Sequence, residues 1–113
     1  RDVFSEALGA RVPFPLSFQR MAWYESGRCA IFYNEGRVSA IAGTDMERVT
    51  AESVDLRRGV EFFTYAYGNS GRAVIEKDGN RLYVYRTEGI AIADDGSDGT
   101  IDLYVIFAPR AER

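Results

Sequence analysis

The segment that decides the fold is residues 72–85, with the sequence RAVIEKDGNRLYVY. Two runs of strand-forming residues flank Asp78-Gly79, a dipeptide that favours the tight turn of a β-hairpin. A two-residue turn places Glu76 opposite Arg81, whereas a three-residue turn places Lys77 opposite Arg81, which is a like-charge contact. The segment therefore predicts a hairpin with the two-residue turn. The other pairs in this register are Ile75 with Leu82, Val74 with Tyr83, Ala73 with Val84 and Arg72 with Tyr85.

Similar turn signals recur on both sides of this hairpin, at 25–27, 34–36, 68–71 and 94–99. Between them lie alternating or apolar runs of strand length, the pattern of an all-β sandwich or barrel. We therefore expect a mainly β fold of about seven or eight short strands, with a short N-terminal helix. The strands form two antiparallel meanders, packed as a small sandwich or a closed barrel.

The chain has 113 residues, 46% of them hydrophobic and 27% charged, which fits a single antiparallel β domain over residues 1–113. In the connector between the meanders, helix formers favour a short helix near 45–50, and alternating polarity favours a strand near 52–57. Since the first residue is Arg1 and not Met, we expect a processed product or a piece of a longer protein. The expected parts are a helix and extended arm (1–15), a first meander (16–42), the connector (43–59), a second meander (60–86) and a final hairpin (87–107).

Register also predicts which side chains point inward, because a slip of one residue inverts a whole strand. We place a two-residue turn at 35–36, a three-residue loop at 25–27 and a strand over 60–67. The inward set predicted for the first meander is Met21, Trp23, Cys29, Ile31, Tyr33, Val38, Ala40 and Ala42. The inward set predicted for the second meander is Phe62, Thr64, Ala66, Ala73, Ile75, Leu82 and Val84.

Composition excludes several kinds of chemistry. The chain has no histidine, which removes Ser-His-Asp, Cys-His and histidine–metal sites. Cys29 is the only cysteine, so neither an intrachain disulfide nor a cysteine pair for metal or redox chemistry can form. A net charge of −3 argues against nucleic-acid binding, and no apolar run has the length of a membrane span. We expect no metal and no cofactor.

Two remaining features suggest chemistry but favour structural roles. The loop 94–99 is rich in Asp, as calcium loops are. However, Gly96 occupies the third EF-hand position and Val105 stands where a bidentate Glu is required, so we expect a solvated hairpin loop. Cys29 has the character of a small buried hydrophobe. The carboxylates are scattered, and no pair is placed to converge for acid–base catalysis.

The candidate binding site is the outer face predicted for the second meander. Tyrosine gives a large contact area that ends in a hydroxyl, and arginine stacks on rings or pairs with carboxylates. A sugar, a peptide or another sheet fits such a surface. Alternatively, these side chains stabilise the sheet or lie against another part of the same protein. The candidate binding residues are Tyr65, Tyr67, Arg72, Tyr83 and Tyr85.

These observations favour a non-catalytic binding domain that recognises a protein partner, or a second copy of itself, through the Tyr/Arg face or an edge strand. The alternative is a small β-barrel that carries an apolar or aromatic ligand, lined by Met21, Trp23, Tyr33 and Phe62. An enzyme would need ionisable groups that converge in a cleft. A single cysteine is compatible with a reducing compartment and with export, so the location stays open.

Overall fold

The computed structural model describes residues 14–24, 28–47, 50, 53–69, 72–94 and 98–109. The helix expected at the N-terminus lies outside these residues. A 3₁₀ turn over Leu56–Arg58 leads directly into one α-helix, α1 (Gly59–Tyr67). The strands are β1 (Arg20–Tyr24), β2 (Cys29–Asn34), β3 (Arg37–Gly43), β4 (Arg72–Lys77), β5 (Asn80–Tyr85), β6 (Ile90–Asp94) and β7 (Leu103–Phe107).

The hairpin formed by β4 and β5 has the predicted register. Glu76 pairs with Arg81, Val74 with Tyr83, and the other predicted pairs are also observed. Asp78 and Gly79 have φ values of 52° and 84°, which is the geometry of a two-residue hairpin turn with positive φ at both central positions. Local turn chemistry therefore sets this register.

The seven strands form one antiparallel sheet in the order β1-β2-β3-β7-β6-β5-β4. The first meander contains β1 to β3, the second contains β4 to β7, and the two meanders meet where β3 pairs with β7. The expectation of a mainly β, antiparallel fold is confirmed. Among the described strands, β1 and β4 are free edges, so the sheet is open and not closed into a barrel.

Residues 60–67 were expected to form a strand, and this expectation is wrong: they belong to α1. Val60, Phe63 and Tyr67 follow helical spacing and fall on one side of the helix. At the end of α1, Gly68 has a φ of 81° and its N–H donates to the Thr64 carbonyl at 2.9 Å. A run rich in aromatic residues favours strand by propensity, and here packing against the sheet overrides that preference.

The connector also differs from the expectation. The described residues 44–47 and 50 contain no helix, and the strand expected near 52–57 is replaced by the 3₁₀ turn. Asp55 caps this turn, because its carboxylate accepts a hydrogen bond from the Arg57 N–H at 2.9 Å. Arg57 also contacts the same carboxylate through its guanidinium at 3.0 Å, and this pairing lowers the pKa of Asp55. The cap turns the chain into α1.

In the first meander, β2 is inverted relative to the prediction. Four residues, 25–28, connect β1 to β2 instead of three, and a β-bulge with Ser39 as the extra residue shifts the pairing of β2 with β3. Met21, Ala40 and Ala42 lie inward as predicted, but Cys29 and Ile31 do not. Cys29, Ile31 and Tyr33 instead point to the opposite side of the sheet.

Both faces of the sheet carry a buried core. The inner face packs against Phe14 and Phe18, and its largest fully buried side chains include Phe32, Leu82 and Val84. The opposite face, called the helix face below, carries α1. The core on the helix face consists of Val54, Leu56, Val60, Phe63, Tyr85, Ile90, Ile92, Ile101 and Tyr104.

The chain between β3 and β4 explains why the helix face is only partly covered. This crossover, residues 44–71, starts from the middle of the sheet and ends at the β4 edge. The apolar residues of the crossover pack over β7, β6 and β5. The strands β1, β2 and β3 lie on the other side of the point where the crossover leaves the sheet, so its described residues do not cover them. No helix in the described ranges is both long enough and apolar enough to cross a membrane.

Candidate functional site

The structure divides the five predicted site residues between two elements. Arg72, Tyr83 and Tyr85 lie on β4 and β5 and point to the helix face, as predicted, while Tyr65 and Tyr67 lie on α1. Tyr85 is fully buried, whereas Tyr65 is 87% exposed. Binding by these residues stays a prediction, but in this conformation a partner reaches Tyr65 and cannot reach Tyr85.

Tyr67 and Tyr85 are joined by packing under α1. The Phe63 ring lies 4.5 Å from the Tyr67 ring and 5.7 Å from the Tyr85 ring, and the two tyrosine rings are 5.3 Å apart. The Tyr85 hydroxyl donates to the Gly68 carbonyl at 3.1 Å, and the Tyr67 hydroxyl donates to Thr50 Oγ1 at 2.8 Å. This aromatic group therefore holds the crossover on the sheet.

Three charged residues of the β4–β5 hairpin contact other residues of the same hairpin. The Arg72 guanidinium lies 5.8 Å from the centre of the Tyr83 ring, a cation–π contact. Arg81 lies 3.6 Å from Glu76, and a hydrogen bond to Tyr83, together with the Glu76 charge, raises the pKa of Arg81. Because both side chains of the ion pair are exposed, it contributes little to stability. The contacts of these three charged side chains are therefore made within the hairpin.

The other half of the helix face is apolar and open. In one row across the sheet, Ile106 lies beside Ile41, Ile41 beside Ile31, and Ile31 beside Ala22. Ile106 is 47% exposed and Ile41 is 37% exposed. We call these four residues, with the 47% exposed Tyr24 at the edge, the open half. None of them was predicted as a site, because the predicted register turned Ile31 inward.

A cavity of about 300 Å³ lies where the open half meets the crossover. Ile41 and Ile106 line it from the sheet, and Leu56 lines it from the crossover. Cys29 also lines the cavity and is half-buried, so it is less enclosed than the buried hydrophobe expected from the sequence. The remaining lining residues are Thr50, Ile90 and Tyr104.

A polar group marks the β1 edge of the open half. The Arg20 guanidinium lies 5.0 Å from the centre of the Tyr33 ring, and the hydroxyls of Tyr24 and Tyr33 are 3.3 Å apart. This hydroxyl contact raises the pKa of Tyr33, and the Arg20 charge acts in the opposite direction. Since the pKa of Tyr33 is raised, its phenol is neutral at neutral pH, and the edge carries the Arg20 charge.

The acidic side chains are the candidate ligands for a metal ion. Within the ranges that the structure describes, no three His, Cys, Asp or Glu side chains are arranged to hold a metal ion. In the acidic loop, Asp98 accepts hydrogen bonds from the backbone and hydroxyl of Thr100 at 3.0 and 2.7 Å, which is the behaviour of a turn residue. Residues 95–97 of that loop lie outside the described ranges.

Comparison with known proteins gives no match to a family model, to a curated protein or to a solved structure. The open half, with its exposed isoleucines and adjoining cavity, is therefore the candidate functional site on physical grounds alone.

Proposed function

We propose that this chain is a non-catalytic protein-interaction domain, and that its open half binds an amphipathic helix of a partner protein. The observation that carries the proposal is the exposure of Ile41 and Ile106 in one continuous aliphatic row. Contiguous exposed apolar surface on a soluble domain is typical of an interaction site.

The domain's own crossover supports a helix as the occupant. On the covered half of the same face, α1 seats Val60 and Phe63 against Tyr85 and Ile92. Four strands, β7, β3, β2 and β1, underlie the open half and its margin, and three strand spacings give a width of about 14 Å. One helix with side chains is about 10–12 Å across, so a second helix fits beside the crossover.

Charge supports a particular kind of helix. Arg20 lies on the helix face at the β1 edge, where its guanidinium stacks on Tyr33. An aliphatic stripe with acidic residues along one side therefore complements the open half. This recognition mode, an apolar helix face in a shallow groove, uses anchors at i, i+3, i+4 and i+7.

The test uses a labelled 18-residue peptide with a leucine stripe flanked by glutamates, titrated with the domain by fluorescence anisotropy. Burying one isoleucine contributes about 1.5–3 kcal/mol, so Ile41→Glu should weaken binding by roughly ten- to a hundredfold. The matched control is Val74→Glu, since Val74 is 44% exposed on the same face but lies at the β4 edge. A peptide carrying proline in its centre controls for helix formation.

The expected result is saturable binding that Ile41→Glu weakens by roughly ten- to a hundredfold and that Val74→Glu leaves intact. Amide chemical-shift changes should then be confined to β1, β2, β3 and β7. If the peptide does not bind, or if both variants weaken binding equally, the proposed function is wrong.

The 300 Å³ cavity favours a second candidate, a small apolar ligand, since it has the size of the smallest ligand sites. The four residues expected to line a barrel interior do not do so, because Trp23 and Tyr33 lie on opposite faces of an open sheet. The cavity beside Ile106 takes their place in this alternative. An apolar fluorescent dye that binds at a 1:1 ratio, and is displaced by decanoate but not by the helical peptide, would favour the ligand-carrier function.

A further inference from the structure

The β1 strand has the composition of an edge made for pairing. Its sequence is RMAWY, and Arg20 is its only charged residue. Trp23 and Tyr24 are 42% and 47% exposed. Proteins usually protect free edges with lysine, proline or inward charges, because an unpaired strand recruits another chain. The other edge, β4, ends in Glu76 and Lys77 and is protected in this way.

The β1 edge is also held in place before any partner arrives. The Gln19 N–H lies 3.0 Å from the Tyr33 carbonyl and 2.9 Å from Asn34 Oδ1. Asn34 Nδ2 donates to the Ser17 carbonyl at 2.9 Å, and the Glu35 N–H donates to Gln19 Oε1 at 2.7 Å. These contacts tie the start of β1 to the end of β2, so pairing requires little ordering of the strand.

We propose that β1 pairs antiparallel with β1 of a second copy, about a two-fold axis at Ala22. This interaction surface goes beyond the proposed function, because it uses the backbone edge of β1, although Ala22 and Tyr24 of that strand also border the open half. The axis is perpendicular to the sheet, so the helix face of one copy continues into the helix face of the other. The result is one sheet of fourteen strands, twice the seven of each chain.

The side chains of β1 complement themselves in this register. Arg20 faces Tyr24 of the second copy while it still stacks on its own Tyr33, so the cation lies between two tyrosine rings. On the inner face, Met21 faces Trp23 of the second copy, a sulfur–aromatic contact. Ala22 faces its own equivalent, and no two like charges are opposed.

Other registers fit less well. A shift of one residue places helix-face side chains opposite inner-face side chains, which the pleat forbids. A shift of two residues loses two of the five pairs that the five-residue strand can form. A contact of this length belongs to the small interfaces, so we expect a dimer that dissociates on dilution.

The decisive experiment is a disulfide test. Directly opposed residues of antiparallel strands have Cα atoms about 4.5–5.5 Å apart, within the range that a disulfide spans. Ala22→Cys in a Cys29→Ala background should therefore form a covalent dimer on mild oxidation. Ala73→Cys in the same background is the control, because Ala73 is exposed on the opposite edge. We expect cross-linking at least tenfold faster at position 22.

A second measurement uses light scattering across a concentration series. Ala22→Glu and Ala22→Lys should each be monomeric, since each places like charges at the axis, and a 1:1 mixture should restore the dimer as a heterodimer. Far-UV circular dichroism of each variant checks that it is folded. Ile41→Glu should keep the wild-type dimer while losing the helical peptide, which separates this inference from the proposed function.

Three results would overturn the inference. One is wild-type protein that stays monomeric at the highest concentration. Another is equal cross-linking at positions 22 and 73, which indicates random collision. The third is a folded Ala22→Glu variant that dimerises as the wild type does, which would place the interface elsewhere.

Discussion

The substitution Phe63→Ala tests the packing of α1 on the sheet, and Tyr65→Ala is its matched control. Both residues are aromatic, and they lie two positions apart on one helix. Phe63 has no exposed surface and contacts both Tyr67 and Tyr85, whereas Tyr65 is 87% exposed. In a strand, the two side chains would share one face, as the sequence predicted.

The expected losses differ severalfold. Truncation of a buried phenylalanine to alanine costs about 3–5 kcal/mol, because apolar burial is lost and a cavity remains. An exposed substitution away from special features changes stability by about 0.5 kcal/mol or less. An unfolding entropy near 2.1 cal/mol/K per residue gives about 240 cal/mol/K for 113 residues, or about 4 °C per kcal/mol. Phe63→Ala should therefore lower Tm by roughly 13–21 °C and Tyr65→Ala by about 2 °C.

The assay is urea and thermal unfolding followed by far-UV circular dichroism, with the m-value compared between variants. Equal losses for the two substitutions would refute the helical assignment, because only a shared face makes the two residues equivalent. A loss below about 1 kcal/mol for Phe63→Ala would show that α1 is not part of the cooperative core.

Two further predictions concern the turns and the buried phenol. Gly89 and Gly36 have φ values of 74° and 75°, but a Cβ at Gly89 meets the Phe107 carbonyl while a Cβ at Gly36 meets nothing. Gly89→Ala should therefore lower the free energy of unfolding by clearly more than the 1–2 kcal/mol or so expected for Gly36→Ala, as measured by urea unfolding. Burial raises the pKa of Tyr85, and the nearby Arg72 opposes that shift. Because the unfolded chain then loses its phenol proton first, the free energy of unfolding should fall as pH rises above about 10, with a shallower fall in Tyr85→Phe. Equal losses at the two glycines, or equal pH slopes, would contradict these accounts.

The parts of the fold that local chemistry determines could be predicted from the sequence. Asp78-Gly79 selects one turn geometry and opposes Glu76 to Arg81, so the whole β4–β5 register follows. The run after Gly59 could not be assigned in the same way. Phe62 to Tyr67 favours strand by propensity, and the helical outcome depends on how Phe63 packs against Tyr85, a residue 22 positions away.

The candidate site was missed for a related reason. The loop 25–28 is one residue longer than predicted, and Ser39 is an extra residue in β3. Together these two differences turn β2 over, while β1 and β3 keep the predicted orientation. The bulge at Ser39 has no glycine or proline signature, and Gly27 marks a turn at 25–28 without fixing the length of the loop, so turn chemistry gives no warning of either difference. The available signal was the apolar character of both sides of β2, since Ile31 and Phe32 are adjacent. Strands that are apolar on both sides are typically buried on both faces.

The inversion of β2 also explains why the open half is aliphatic. On the inner face, Ala30, Ala40 and Ala42 leave room for the rings of Phe18 and Phe32, whose centres are 5.0 Å apart. The larger side chains of the same strands, Ile31 and Ile41, are thereby placed on the helix face.

The part of the helix face that lies under α1 is covered by Phe63 and its neighbours. Intramolecular packing therefore accounts for the apolar residues of that part of the sheet. Over β1 to β3 the same composition occurs, but the described residues of these strands take no part in the core of the helix face, and Ile41 stays 37% exposed. Solvent exposure alone gives no advantage to isoleucine at that position over a polar strand former such as threonine. The proposed partner helix would resolve this mismatch, because it would cover a face that has the composition of a buried layer and the exposure of a surface.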